Sequence, residues 1–281
     1  MTVKIVTDST SDLAPEIIDE LGITVVPLHV SIGNITYRDG VDLTTQEFYR
    51  RLAENKILPT TSAPSPQSFI DIFDRLANET DEILCITISS KLSATYESAS
   101  EAKRQWNGPA RLELIDSYSA IIGLGLITIA AAKAARSGHS LDEILEITRK
   151  NMKRVDFRMV FDTLEYLRRG GRIGAAQVLL GSMLKVNPVI TLKDGATEAV
   201  TKFRSRAKAM EYLVNFATSF PDIQEIAIED ATTPDDVESL MKHLSEALPD
   251  KTIHRMKVSP VIGTHVGPHV LGIGVLPGDQ A

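Results

Sequence analysis

The side chains in this sequence whose types and spacing could do chemistry are hydroxyls gathered beside expected helix starts. Pro59-Thr60-Thr61-Ser62-Ala63-Pro64-Ser65 is one such segment, and Ser89-Ser90-Lys91-Leu92-Ser93-Ala94-Thr95-Tyr96 is the other. Hydroxyls and the free backbone N–H groups of a helix N-terminus hold anionic groups well. Neither segment carries a carboxylate, cysteine or histidine, so a hydroxyl there lacks the base that would make it a nucleophile. The chemistry they suit is the grip of an anionic headgroup rather than the breaking of a bond.

Elements must position those segments, and the first half of the chain alternates strand and helix patterns. Residues 3–9 read as a strand. Asp12 is the expected N-cap and Pro15 the first-turn residue of a helix spaced by Ala14, Ile17, Ile18 and Leu21 and closed by Gly22. Residues 24–32 are β-rich, 44–55 read as a helix, and 82–89 and 111–117 are short apolar strands, each followed by a helical pattern. Strands separated by helices imply a parallel sheet with helices on both faces. Three strands finish in Ser9, Ser89 and Ser117, and ligands of open parallel sheets gather at such carboxyl ends. Helix caps and a shared polar cleft are both open readings of these serines.

After residue 156 the pattern changes, which predicts domains at 1–156 and 157–281. Residues 157–162 are a strand candidate, and 164–172 carry the basic run Arg168-Arg169-Gly170-Gly171-Arg172. Residues 189–192 and 199–203 flank Asp194-Gly195, a hairpin signal. A helix over 206–216, a strand over 225–229 and an amphipathic helix over 234–248 beginning near a Thr cap follow. Strands over 252–258 and 270–276 complete a mixed sheet with helices. The fold class is therefore α/β, with an N-terminal parallel sheet and a C-terminal mixed domain.

Several function classes are disfavoured. The 30 basic residues stand against 37 acidic ones for a formal charge of -7, which does not favour nonspecific nucleic-acid binding. Cys85 is the only cysteine, which excludes an internal disulfide and suits a reducing compartment. The N-terminus runs into a strand pattern without signal-peptide anatomy. The longest apolar stretch, residues 120–132, is too short and too rich in Ala and Gly for a membrane span. A cytoplasmic protein without integral membrane association is expected.

No phosphate-loop motif and no G-x-G-x-x-G after a strand occurs, and Gly123-Leu124-Gly125 reads as close helix packing. No G-x-S-x-G elbow occurs either. His265 and His269 are four apart, but Gly267-Pro268 breaks the helix that would align them on zinc; no metal and no cofactor is expected. His265 falls in Gly263-Thr264-His265-Val266-Gly267-Pro268, read as a glycine-rich loop before the last strand. There it is either structural or a donor to a carboxylate.

Taken in order, these blocks resemble the DegV family. Thr7-Asp8-Ser9-Thr10-Ser11-Asp12-Leu13 is similar to its opening signature, and Thr61-Ser62-Ala63-Pro64-Ser65, residues 89–96 and Asp116-Ser117 to its next blocks. Residues 167–173, Lys185-Val186-Asn187-Pro188-Val189-Ile190 and 263–268 supply the rest. Each block is weak alone, but the ordered set spans essentially the whole chain.

The resemblance implies a two-domain α/β protein holding a long-chain fatty acid in a buried tunnel. In the best-understood members, the fatty-acid-binding subunits of bacterial fatty acid kinase, the protein is not itself catalytic. It presents the carboxylate to a separate ATP-binding kinase subunit that makes acyl phosphate for phospholipid synthesis. By motif position the resemblance assigns the carboxylate to Thr61 and Ser93, with His265 lining the headgroup site and Ser62 adjacent through its N–H or hydroxyl. Arg204 matches the family arginine near the headgroup and phosphotransfer site; a solvent-facing residue at a helix start is the other reading. Arg168, Arg169 and Arg172 form either a docking patch for an acidic partner or a solvated face.

Lys91 and Ala94 replace the family's usual glycines, and His269 stands where glycine is common. Composition does not single out which apolar residues would line the tail. Two further readings stand beside this one. One is a small-molecule hydrolase or transferase with Ser93 or Ser117 as nucleophile; the other is a regulatory DNA-binding protein, which the acidic balance and the lack of a helix-turn-helix signature disfavour.

Overall fold

The computed structural model describes residues 2–54, 58–180 and 186–278. Asn55, the expected end of one helix, and Lys185, the first residue of the block over 185–190, lie outside the described residues. In chain order the elements begin with β1 (Lys4–Asp8), α1 (Pro15–Leu21), β2 (Thr24–Val26), β3 (His29–Ile32), β4 (Ile35–Arg38), α2 (Thr45–Glu54) and β5 (Thr60–Ser62). They continue with α3 (Pro66–Ala77), β6 (Glu82–Thr87), α4 (Thr95–Gln105), β7 (Arg111–Asp116), α5 (Ile121–Arg136) and α6 (Leu141–Arg154). The later part holds β8 (Asp156–Val160), α7 (Glu165–Arg169), β9 (Asn187–Lys193), β10 (Ala196–Phe203), α8 (Arg206–Thr218) and β11 (Ile223–Asp230). Last come α9 (Pro234–Ala247), β12 (Ile253–Lys257), α10 (Pro260–Val266) and β13 (Leu271–Pro277).

Four parallel strands form one sheet in the order β2-β1-β6-β7. Along β6, Ile83 and Cys85 pack with Phe69 and Phe73 of α3, while Leu84 and Ile86 join the central core. Burial on both faces explains why this strand reads as an unbroken apolar run. The second sheet has six strands in the order β10-β9-β8-β13-β11-β12, and within it only β11 and β12 run parallel. Its outer face buries Ile226, Ile228, Ile273 and Val275 under Leu213 and Phe216 of α8 and Leu240 and Leu244 of α9. Its inner face gives Phe157, Met159 and Ala227 to the central core.

Between the two sheets lies α5, apolar on every side and buried continuously from Ile121 to Ala132. A helix of that composition needs neighbours all round. It packs against α6, β1, β8, β11 and β13. The close packing expected at Gly125 is present, since a Cβ there would come within 2.7 Å of the Ser11 carbonyl. The layers therefore run α3/α4, four-stranded sheet, α5/α6, six-stranded sheet, α8/α9.

Four expectations change. The β-rich stretch 24–32 is two strands, because β2 joins the parallel sheet while β3 pairs antiparallel with β4 and β5 in a small third sheet. Asp12 does not cap α1; Ala14 occupies that place, and Asp12 follows the 3-10 turn Ser9–Ser11 at φ 50 with its side chain buried. Pro15 and Gly22 do frame α1 as expected. Thr233 precedes α9 without a capping bond from its hydroxyl; its N–H donates to Asp230 instead.

The fourth change concerns the segment expected as a glycine-rich loop, which is mostly α10. This helix is capped by Ser259, opened by Pro260 and ended by Gly267. Gly263 sits inside it because a Cβ there would meet the Tyr49 hydroxyl at 2.6 Å. The glycine reflects packing against α2, not a loop. The Asp194-Gly195 hairpin forms as expected, with both residues at positive φ between β9 and β10.

Candidate functional site

A cavity of about 310 Å³ lies where β5, α10, the start of α5 and the inner face of the six-stranded sheet meet. Phe157 and Met159 of β8 reach it by the two-residue alternation of a strand, and Phe161 just beyond β8 continues that series. With Ile121 and Ile190 they form an apolar interior, each less than a tenth exposed. Of the polar lining, Thr10 and Thr197 are buried, but Thr61, Ser93 and His265 are half-buried and Ser62 and Arg172 are exposed. The cavity thus grades from a polar opening to an apolar interior.

Thr61 and His265, remote in sequence, meet at this opening with Thr61 Oγ1 2.8 Å from His265 Nε2. Pairing of β5 with β3 places Thr61 opposite Val30, and the last turn of α10 places His265. Burial first, then the nearby Arg172 charge, push the His265 pKa down to about 4, so the ring is neutral near pH 7. His265 Nδ1 is buried without a hydrogen-bond partner. A bare ring nitrogen is tolerated there better than an orphaned N–H, which places the proton on Nε2. Nε2–H then donates to Thr61 Oγ1, and the Thr61 proton is left to point at an anion. Gly170 makes room for the ring, because a Cβ at that position would overlap His265 Nδ1.

Ser93 follows β6 at the approach to α4, its amide bonded to the Ser89 carbonyl at 3.1 Å. Its Oγ lies 2.8 Å from Thr95 Oγ1 and accepts from the Thr95 amide at 3.3 Å. With Thr95 as donor in the first of these, the Ser93 proton is also available to an anion. Ala94 takes φ -75, without strain, where the family commonly has glycine. His269 takes φ 61, the left-handed region that explains why glycine is common at that position.

The three arginines of the basic run separate. Arg168 and Arg169 are exposed and bind Glu165 at 2.7 and 2.6 Å. Arg172 lines the cavity, with Nε on the Leu92 carbonyl at 3.0 Å and Nη1 on the Gly170 carbonyl at 2.6 Å. The sequence shows one basic patch; the turn at Gly170-Gly171 after α7 divides it. Arg204 is exposed in the bend between β10 and α8, outside the cavity lining.

The strand-end serines do not form a shared cleft. Ser9 Oγ accepts from the Leu28 amide, Ser89 Oγ donates to the Gly195 carbonyl and Ser117 Oγ donates to the Ser119 carbonyl. Their hydroxyls are spent on the protein's own backbone, and it is their neighbours Thr10 and Ile88 that border the cavity. His269 lies by Thr232, away from His265's partners. Among the described residues no group of three or more His, Cys, Asp or Glu side chains could hold a metal ion. No helix among them is long and apolar enough to cross a membrane.

A second polar group, unforeseen in the sequence, lies behind α10. Asp12, Asp39 and Glu229 are all buried. Glu229 accepts from the Ile122 amide at 2.8 Å, which satisfies an open N–H at the start of α5. Burial raises all three carboxyl pKa values, that of Asp39 to about 7, and the Glu229 charge pushes Asp12 further up. Asp39 also accepts from the Val261 amide in the first turn of α10 at 3.4 Å. The sequence carries no common signal for the group: Asp12 follows Ser11 and Asp39 precedes Gly40, where acids look like caps and turns, and Glu229 ends an apolar strand.

Fold and site together define a class: an α/β protein built on two large sheets and a small third one, with an internal cavity mostly apolar inside and polar at its opening. The model of the DegV family, described as an uncharacterised protein family, matches residues 2–278. A DegV domain-containing protein of Caldanaerobacter subterraneus is 35% identical over 275 residues, covering 96% of this chain and 97% of that one. The chain belongs to the DegV family.

Solved structures agree. One reporting fatty acid binding of a DegV family protein from Thermus thermophilus superposes with a TM-score of 0.91 at 34% identity, over 99% of this chain and 100% of that one. DegV of Bacillus subtilis, described as a fatty acid binding protein, gives 0.90 at 28% identity over 99% and 100%. A stearic-acid-binding protein from Eubacterium ventriosum gives 0.90 at 29% over 98% of each.

Proposed function

We propose that the chain binds a long-chain fatty acid between two domains, 1–156 and 157–281, and presents its carboxylate to a separate ATP-dependent kinase subunit. The observation that carries this reading is the Thr61–His265 pair, with Ser93, at the opening of a buried apolar cavity. A carboxylate leaving water needs several donors to offset its desolvation. Thr61 and Ser93 supply hydroxyl protons, Ser62 adds a hydroxyl or N–H beside them, and Arg172 adds positive charge in the wall. The acyl tail needs only apolar surroundings, and each methylene buried among Phe157, Met159, Phe161 and Ile190 contributes roughly 0.8 kcal/mol. The fatty-acid-binding relatives named above support the ligand class.

In this reading the chain is cytoplasmic and not a catalyst by itself; it needs no cofactor, and acyl phosphate forms on the partner for phospholipid synthesis. The hydroxyls of Ser93 and Ser117 bond to Thr95 and to the Ser119 carbonyl, which favours a binding role over a nucleophile. The exposed Arg168, Arg169 and Arg204 are the cations available to a docking kinase or its phosphates.

Mass spectrometry of the purified, denatured protein should find a long-chain fatty acid. Delipidated protein should rebind it, and ATP with a fatty acid kinase subunit should then yield acyl phosphate only when this chain is added. Absence of acyl ligand and of rebinding would sink the binding reading. Binding without stimulated phosphorylation would sink only the kinase part.

A further inference from the structure

β13 carries glycine at two alternate positions, Gly272 and Gly274, on the face turned toward the central core. In its antiparallel pairing with β8, Gly272 stands opposite Met159 and Gly274 opposite Phe157. Both partners line the cavity. Directly opposed residues of an antiparallel pair normally stand side by side and fill the sheet face between them.

The two glycines serve different neighbours. At Gly274 the nearest atoms to an added Cβ belong to Ile122, at 2.8 Å, so this glycine seats α5 against the sheet. At Gly272 an added Cβ would overlap the Met159 sulfur and come 3.1 Å from its Cε. Met159 therefore lies across the open place beside its own cross-strand partner, as its flexible unbranched side chain permits. The Arg158 carbonyl, 2.9 Å from the same added Cβ, closes the backbone side. A displaced Met159 has the cavity to move into.

We propose that Gly272 sets the length of the apolar chain that the cavity accepts, by letting Met159 lie flat instead of standing into the tail space. The inference rests on the fatty-acid reading and makes Gly272, which is not among the cavity-lining residues, a determinant of chain-length specificity. A side chain at position 272 would shorten the cavity through Met159, and truncation of Met159 would lengthen it.

The test measures affinities of delipidated wild type, Gly272→Ala, Met159→Ala and the double variant for tetradecanoic and octadecanoic acids. Gly272→Ala should weaken octadecanoic acid relative to tetradecanoic acid by roughly tenfold, the weight of about two methylenes. Met159→Ala should shift the ratio the other way, and the double variant should follow Met159→Ala because the intruding side chain is gone. An equal loss for both acids in Gly272→Ala, or a loss that persists in the double variant, overturns the proposal. Should Gly272→Ala fail to fold, Met159→Ala decides: acceptance of eicosanoic acid supports the proposal, and an unchanged preference overturns it. A wild type that binds none of these acids overturns the fatty-acid reading itself, a result distinct from binding with an unmoved ratio.

Discussion

The opening of the cavity and the carboxyl cluster behind it are two polar islands at opposite ends of one short helix, α10. At its last turn, His265 meets Thr61 beside solvent-reaching groups. At its first turn, the Val261 amide meets Asp39 in the interior. The opening has two hydroxyls with protons left to give, one of them oriented by an uncharged imidazole, and the Arg172 charge in its wall. The cluster uses carboxyls whose raised pKa values let them keep protons, and its bonds go to the protein's own amides. The difference teaches that a polar group's task here follows from where its unused proton or lone pair points. Facing the cavity, it is open to the proposed ligand; facing a helix end, it holds the fold.

The sharpest way to break that contrast is Glu229→Ala. It strands the Ile122 amide and leaves Asp12 without its neighbour, so urea denaturation should show a loss of about 3 kcal/mol. Glu229→Gln, which keeps an acceptor, should cost clearly less. A negligible loss in Glu229→Ala would remove the structural role given to the cluster.

At the other end of α10, Thr61→Val should lower fatty acid affinity by roughly tenfold to a hundredfold, the weight of a hydrogen bond to a charged group. Thermal unfolding of the delipidated protein should hardly move. Ser93→Ala should act in the same sense. An equal loss of stability in either variant would make these hydroxyls caps rather than ligand donors.

The two islands should also respond to pH with opposite signs. His265 is held at about 4, below its ordinary value, so the unfolded chain takes up its proton first. Its contribution is full above about pH 6.5 and is lost as pH falls toward about 4. Asp39 is raised to about 7, so its contribution is full below about pH 4 and is lost as pH rises through about 7. His265→Gln should flatten the acid limb of a stability profile and Asp39→Asn the neutral limb. If each variant altered the other's limb, the assignment would be reversed. The smallest effect belongs to Arg168→Ala, whose exposed ion pair should leave stability within about 0.5 kcal/mol. Acid affinity should not change, while a response to a kinase subunit is where that variant would show.

Much of the N-terminal sheet was legible because β1, β6 and β7 are short apolar runs closed by polar residues and followed by helical spacing. The hairpin at Asp194-Gly195 was legible because its turn demands positive φ at both positions. α10 was not, since glycine in the sequence signals a loop unless a neighbour such as Tyr49 fills the space beside it. Asp12 resembled a cap for a similar reason: the preference for acids before helices is local, and the buried neighbours that hold it come from the other end of the chain. Phe157, Met159 and Phe161 look like any strand face, and the sequence does not distinguish a packed face from one bordering a cavity.

The hydroxyl segments, the absence of a base beside them, the α/β class and the ordered family blocks were properties of the sequence by itself, because each depends on residue type and short spacing. Tertiary structure decided the rest. It brought Thr61 to His265 across 204 positions, turned Arg172 into the cavity wall while leaving Arg168 and Arg169 outside, and buried three carboxyls, two of them on first-turn amides of α5 and α10. Hydrogen bonds and burial between segments far apart in the chain set proton positions and charge, and no local pattern encodes them.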